Sequence, residues 1–147
     1  AYETDGFGNY NLMDDANVPS LLSIPYLQYV SADDPIYVNT RRFILSRDNP
    51  YFFEGSCAKG IGSPPTPQNH IWHIGLIMQA LTSTEDNEIK ELLKMIVKTD
   101  AGTGYMHESF HKDNPNQFTR PWFAWANSLF GELIHRFMED KKQYLID

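Results

Sequence analysis

The chain has 147 residues, enough for one domain with a modest hydrophobic core, and a formal net charge of −7. This acidic balance argues against nucleic acid and anionic membrane surfaces as partners, and no apolar run is long enough to span a bilayer. The single cysteine, Cys57, excludes an internal disulfide. The chain begins at Ala1 with neither a methionine nor a signal-peptide pattern. We therefore expect it to be cut from a longer protein, whose compartment the sequence does not define.

The first half of the chain predicts two short helices between long loops. Residues 2–17 are rich in Gly, Asn and Asp, a composition typical of loops. Asn17 followed by Pro19 is typical of a helix start, and a second helix is predicted over residues 37–46. Residues 47–68 carry many prolines and glycines together with aromatic side chains, which indicates a long ordered loop.

The second half of the chain predicts three longer helices. Residues 69–81 are apolar on almost every side, as in a buried helix, and residues 85–98 show clean amphipathic spacing. A loop over residues 102–120 precedes an aromatic-rich helix over residues 121–138, and the polar tail, residues 141–147, is expected to fray. No segment alternates over enough residues to predict a strand. The expected class is therefore all-α, with long loops of the kind that carry functional residues.

Two loop segments contain candidate binding groups. Asp14 and Asp15 can stabilise the positive end of a following helix, or they can accept hydrogen bonds from sugar hydroxyls. Gly60 and Gly62 can form an ordinary turn or let a ligand approach the backbone. The spacing of these glycines does not match a phosphate-binding loop, since no Lys-Ser or Lys-Thr pair follows.

The segment HESFH, residues 107–111, matches the H-E-x-x-H pattern of zinc proteases. In those enzymes two histidines on one helix face hold the metal, which here would be His107 and His111, with Glu132 as an imaginable third ligand. The glycines before the segment and the proline after it leave room for only a very short helix. A zinc metalloprotease-like domain that uses His107, Glu108 and His111 is therefore the alternative function.

Several long segments resemble the C-terminal part of glycoside hydrolase family 125. They are YETDGFGNYNLMDDANVPSLLSIPYL, NTRRFILSRDNPYFFEG, GIGSP, LIMQALTSTEDNEI and TDAGTGYMHESFHKDNPNQFTRPWFAWANSLFGELI. The resemblance covers residues 2–134 and involves ordered motifs rather than one short pattern. It implies a metal-independent exo-α-mannosidase that acts on terminal α-1,6-linked mannose with inversion at the anomeric carbon. It also implies that no cofactor is needed.

The family resemblance carries expectations for the fold and the partners of the chain. It implies a partial (α/α)6 barrel of helical hairpins, in which residues 1–147 form the C-terminal portion of one catalytic domain whose N-terminal portion is absent. The implied substrate is an α-mannoside oligosaccharide or an N-glycan, and the implied protein partner is the missing part of the same barrel. Apolar side chains of residues 71–81 or 122–137 should then be open to solvent or to that partner.

The resemblance also implies roles for individual residues. Glu108 corresponds to the general base, which in an inverting glycosidase activates a water molecule. The general acid is placed upstream of this chain, so the isolated chain is expected to be inactive. Glu108 should lie near residues 51–64 and 14–17, and no metal is expected. The candidate substrate-binding residues are Asp14, Asp15, Asn17, His107, Trp72 and Trp122. A non-catalytic carbohydrate-binding chain remains a third hypothesis.

Overall fold

The computed structural model describes residues 1–141, and residues 142–147, which make up most of the tail expected to fray, lie outside the described residues. Within residues 1–141 the chain forms four helices and seven short strands. In chain order these are β1 (Glu3–Thr4), β2 (Tyr10–Asn11), α1 (Pro35–Ile44), β3 (Phe52–Glu54), β4 (Lys59–Ile61), β5 (His70–Ile71), α2 (His73–Leu81), α3 (Asp86–Lys98), β6 (Ser109–His111), β7 (Asn114–Thr119) and α4 (Ala124–Lys141).

The expectation of an all-α chain, and with it of a partial (α/α)6 barrel, is wrong, because the fold is mixed α/β. The strands form two antiparallel hairpins, β1–β2 and β3–β4, and one antiparallel sheet in the order β5-β6-β7. Their lengths of two to six residues are too short for an alternating pattern to stand out in the sequence. Strand β5 pairs with β6 across nearly 40 residues, so local signals do not reveal it.

The helix predicted to begin at Asn17 is instead a run of turns. Side chains take over backbone hydrogen bonds there, since the Ser20 amide donates to Ser23 Oγ and Ser23 Oγ donates to the Ser20 carbonyl. Pro25 cannot donate an amide hydrogen bond, and Gln28 has a left-handed φ of 60°. These local preferences end each turn before a helix can extend.

The other four predicted helices exist, with shifted ends. Helix α1 begins at Pro35 rather than at residue 37, because Asp34 Oδ1 accepts hydrogen bonds from the Ile36 and Tyr37 amides and proline occupies the first position. Helix α2 begins at His73 rather than at residue 69, because the preceding residues belong to β5. Helix α3 matches its predicted range within one residue.

Helix α2 is the centre of the hydrophobic core. Its residues Ile74, Leu76, Ile77 and Met78 are at most 1% exposed, and it packs against both α3 and α4. The expected open apolar surface therefore does not occur on this helix. It occurs at α4 and the residues before it, where exposed apolar side chains include Trp122, Trp125, Ile134 and Met138. Within residues 1–141, no helix has both the length and the apolar character needed to cross a membrane.

Gly62, in the GIGSP segment, allows two pieces of the chain to meet closely. A Cβ atom at this position would collide with the His70 carbonyl oxygen and would lie 2.6 Å from the Phe53 ring. The Gly62 amide donates to the Tyr51 carbonyl, and the Gly62 carbonyl accepts from Ala16. The glycine thus serves contact between backbone segments, and no ligand is required to explain it.

We predict that Gly62→Ala lowers the free energy of unfolding by about 1–3 kcal/mol, because the added methyl group overpacks this contact. The matched control is Gly131→Ala in α4, where nothing lies within 4 Å of an added Cβ atom. That change should raise stability by about 0.5–1 kcal/mol through helix propensity. Thermal unfolding of both variants measures the difference. Equal midpoints for the two variants would contradict the packing role of Gly62.

Candidate active site

The HESFH segment is not helical. Glu108 lies in a bend and the next three residues form β6. His107 and His111 have separate surroundings, because the His107 ring lies beside His73 and the His111 ring lies edge-on to His70. Glu132, the imagined third zinc ligand, instead pairs with Tyr26 and Arg136. The helical face that a zinc protease motif requires is therefore missing.

His107 is fully buried beneath the bend. Its Nδ1 lies 2.8 Å from the Pro121 carbonyl oxygen and its Nε2 lies 3.1 Å from the Asp100 carbonyl oxygen. The ring stacks on Phe118 at 4.0 Å between centroids. Both nitrogens face backbone groups and neither reaches solvent, so the structure places His107 as a support for the loop rather than as an accessible sugar contact.

His73 fixes the backbone just before Glu108. Its Nδ1 accepts a hydrogen bond from the His107 amide at 2.9 Å, so the proton of the neutral ring lies on Nε2 and points to Thr99 Oγ1. Burial, together with the neighbouring His107 ring, lowers the pKa of His73 to about 3. The ring therefore stays neutral and keeps its acceptor at ordinary pH.

Glu108 lies close to the protein surface, and its side chain is 14% exposed. Its amide donates to the carbonyls of Thr119 and Arg120 at 3.2 and 3.4 Å. Its carboxylate Oε1 lies 3.4 Å from Arg120 Nε, and the guanidinium lies over the Phe123 ring. Phe123 in turn contacts Trp72 edge-on, with 5.9 Å between ring centroids.

A second series of contacts runs from Trp72 to the acidic segment near the N-terminus. Trp72 Nε1 donates to Thr66 Oγ1, and Thr66 Oγ1 donates to the Ser63 carbonyl. Ser63 Oγ accepts from the Asn17 side-chain amide, which also donates to Asp15. Glu108 is therefore connected to the loop over residues 51–64 and to the segment 14–17 by a path of contacts that passes through Ser63.

Asp14 has a structural position. Its carboxylate is fully buried and accepts from the Leu21 and Leu22 amides at 2.9 and 3.0 Å, while Asn49 pairs with its backbone. Burial raises the pKa of Asp14 from its ordinary value to about 6, against the opposing effect of the Leu21, Leu22 and Asp15 amides. With no exposed atom, Asp14 has nothing to offer a sugar hydroxyl, which favours its role as an anchor of the turns that follow.

The remaining candidate residues differ in access. Trp122 is 58% exposed and Asn17 is partly exposed, whereas Asp15 and Trp72 are 8% and 3% exposed. The accessible candidates in this chain are thus Glu108, Asn17 and Trp122. Sequence reasoning missed Arg120, Phe123 and Thr66, whose importance follows from contacts between distant segments. Among residues 1–141, no three His, Cys, Asp or Glu side chains are grouped so that they could hold a metal ion.

Comparison with known proteins shows close relatives. A family model described as metal-independent α-mannosidase, glycoside hydrolase family 125, matches residues 1–135. The meiotically up-regulated gene 157 protein of Schizosaccharomyces pombe is 53% identical over 146 residues, which cover 99% of this chain and 29% of that protein.

A solved structure gives the same relationship in three dimensions. It is a metal-independent α-mannosidase of Streptococcus pneumoniae in a non-productive substrate complex with α-1,6-mannobiose. It has a TM-score of 0.91 and 52% sequence identity, over 93% of this chain and 32% of that one. The chain therefore spans less than a third of the length of either relative.

The buried carboxyl of Asp14 predicts a specific pH dependence of stability. Because its folded pKa of about 6 lies above the unfolded value of 3.8, the folded state holds the proton more tightly, and this stabilising contribution is lost as pH rises through about 6. Relative to Asp14→Asn, the protein should lose on the order of 2 kcal/mol between pH 4 and pH 7. Urea unfolding of both proteins across this range measures it. A difference that does not change with pH would contradict the raised pKa.

Proposed function

The chain belongs to glycoside hydrolase family 125, the metal-independent α-mannosidases, and on that premise we propose that it forms part of an inverting exo-α-mannosidase that removes terminal α-1,6-linked mannose. The observation that carries this proposal is the 52% identity, at a TM-score of 0.91, to the Streptococcus pneumoniae α-mannosidase. That protein was captured with α-1,6-mannobiose, which supports a mannoside as the substrate class.

Glu108 is the proposed general base. Its side chain is partly exposed, so a water molecule can reach the carboxylate. The buried His107 ring supports the backbone of the same bend through its contact with the Pro121 carbonyl. In the proposed reaction Glu108 takes a proton from this water as the water oxygen bonds to the anomeric carbon. The bond to the leaving oxygen breaks at the same time, and a carboxylic acid gives that oxygen a proton.

The rest of the longer protein is the proposed source of the general acid. The chain covers about a third of its relatives, and the exposed apolar surface around α4 supports packing against further protein. Asn17 and Trp122 are proposed as substrate contacts, since each has an accessible side chain suited to sugar hydroxyls or to the sugar ring. Asp15 is proposed to orient Asn17, because the Asp15 carboxylate accepts a hydrogen bond from the Asn17 side-chain amide.

We predict that Glu108→Gln in the full-length protein lowers the turnover of an aryl α-mannoside by at least about 100-fold, because the shape remains and the base is lost. A good leaving group reduces the need for the acid, so this substrate isolates the base step. Mannose binding, measured by calorimetry, should be largely retained. The matched control is Glu91→Gln on the exposed face of α3, where the carboxylate pairs only with Lys94 among the described contacts.

Two results would remove Glu108 from the base role. One is full activity of Glu108→Gln, and the other is a product that retains its anomeric configuration in the NMR spectrum of the first turnovers. Loss of activity in Glu91→Gln as well would point to a general folding defect instead.

We further predict that the isolated 147-residue chain does not hydrolyse an α-1,6-mannoside at a measurable rate. It contains the proposed base without the proposed acid, and general acid–base groups each contribute roughly 10²–10⁴-fold. Product assays beside the full-length protein test this. Robust turnover by the chain alone would show that one of its own carboxyl groups is the acid. Tight mannose binding without turnover would favour the carbohydrate-binding hypothesis.

A further inference from the structure

Arg120 occupies an unusual backbone position beside Glu108. Its φ is 42°, in the left-handed region that non-glycine residues rarely adopt, and it precedes a proline, a position where extended backbone is preferred. The surrounding contacts explain how this conformation is held. The carbonyls of Thr119 and Arg120 both accept from the Glu108 amide, and Pro121 accepts from the buried His107 ring.

This backbone turn brings the Arg120 side chain back over the Glu108 carboxylate. Nε lies 3.4 Å from Oε1, and Cζ lies 5.9 Å from the centre of the Phe123 ring. The Arg120 guanidinium thus contacts the face of the Phe123 ring on one side and the Glu108 carboxylate on the other. The Arg120 side chain is 67% exposed, whereas that of Glu108 is 14% exposed, so the guanidinium is the more solvent-accessible member of the pair.

We infer that Arg120 is a positioning residue for Glu108, one that fixes the orientation of the carboxylate oxygen that takes the proton from water. This inference rests on the proposed base role of Glu108. A guanidinium stays protonated at any pH that the enzyme meets, so Arg120 keeps the charge with which it contacts Glu108. Within residues 1–141, Arg120 supplies the charged contact that the structure records for Glu108; the adjacent His107 ring faces the Asp100 and Pro121 carbonyls instead.

The test compares Arg120→Met and Arg120→Lys in the full-length protein with an aryl α-mannoside. Methionine keeps much of the side-chain length and removes the charge. At the pH optimum, kcat of Arg120→Met should drop roughly tenfold to a hundredfold with little change in KM.

Arg120→Lys should recover kcat only in part, because the charge is restored but lysine lacks the planar fork. An unchanged kcat in Arg120→Met would overturn the inference, and a raised KM with unchanged kcat would make Arg120 a substrate contact instead. Circular dichroism and thermal unfolding check that each variant is folded. If Arg120→Met does not fold, Arg120→Gln and Arg120→Lys carry the same comparison.

The Glu108→Gln variant separates this inference from the proposed function. If Glu108→Gln is inactive and Arg120→Met behaves as the wild type, then only the role of Arg120 is wrong. If Glu108→Gln is fully active, then the base assignment itself fails and the inference fails with it.

Discussion

The hydrogen bond from the His107 amide to His73 Nδ1 sets the position of the candidate site. His73 lies in the first turn of α2, the most buried helix, and its other nitrogen contacts Thr99 at the end of α3. One neutral ring therefore fixes two helices and the loop that carries Glu108. Because burial keeps the pKa of His73 at about 3, this acceptor does not disappear in the pH range where a carboxylate base works.

The buried polar groups around the site serve the backbone more than they serve a ligand. The rings of His107 and His73 are both fully buried, and both contact backbone or hydroxyl groups. Asp14 does the same for the turns after it. Within residues 1–141, every buried side-chain nitrogen and oxygen has a hydrogen-bond partner. Because these buried polar groups are all hydrogen-bonded, the loops are held in one conformation. A precisely oriented Glu108 carboxylate requires this.

The sequence predicted the elements that depend only on residues close together in the chain. The amphipathic spacing of α3 is complete within its own residues, and its range was predicted almost correctly. Strand β7 contains a proline and mostly polar residues, and it exists because it pairs with β6, so its own pattern predicts nothing. Glu108 could be proposed because a motif resemblance marks it. Arg120 could not, since its contact with Glu108 depends on a left-handed φ and on the neighbouring Phe123 ring.

The two sides of Glu108 differ in a way that bears on the proposed reaction. On the inner side, this chain supplies a complete support of His107, Phe118 and the β7 backbone. On the outer side lie an exposed Arg120 and the open aromatic surface of Trp122. An inverting glycosidase needs its two carboxyl groups roughly 6.5–9.5 Å apart with the sugar between them. Within residues 1–141, the inner support leaves the outer side of Glu108 for the proposed sugar site. The proposed acid must therefore approach across that open surface, which is also the surface whose apolar side chains need a covering partner.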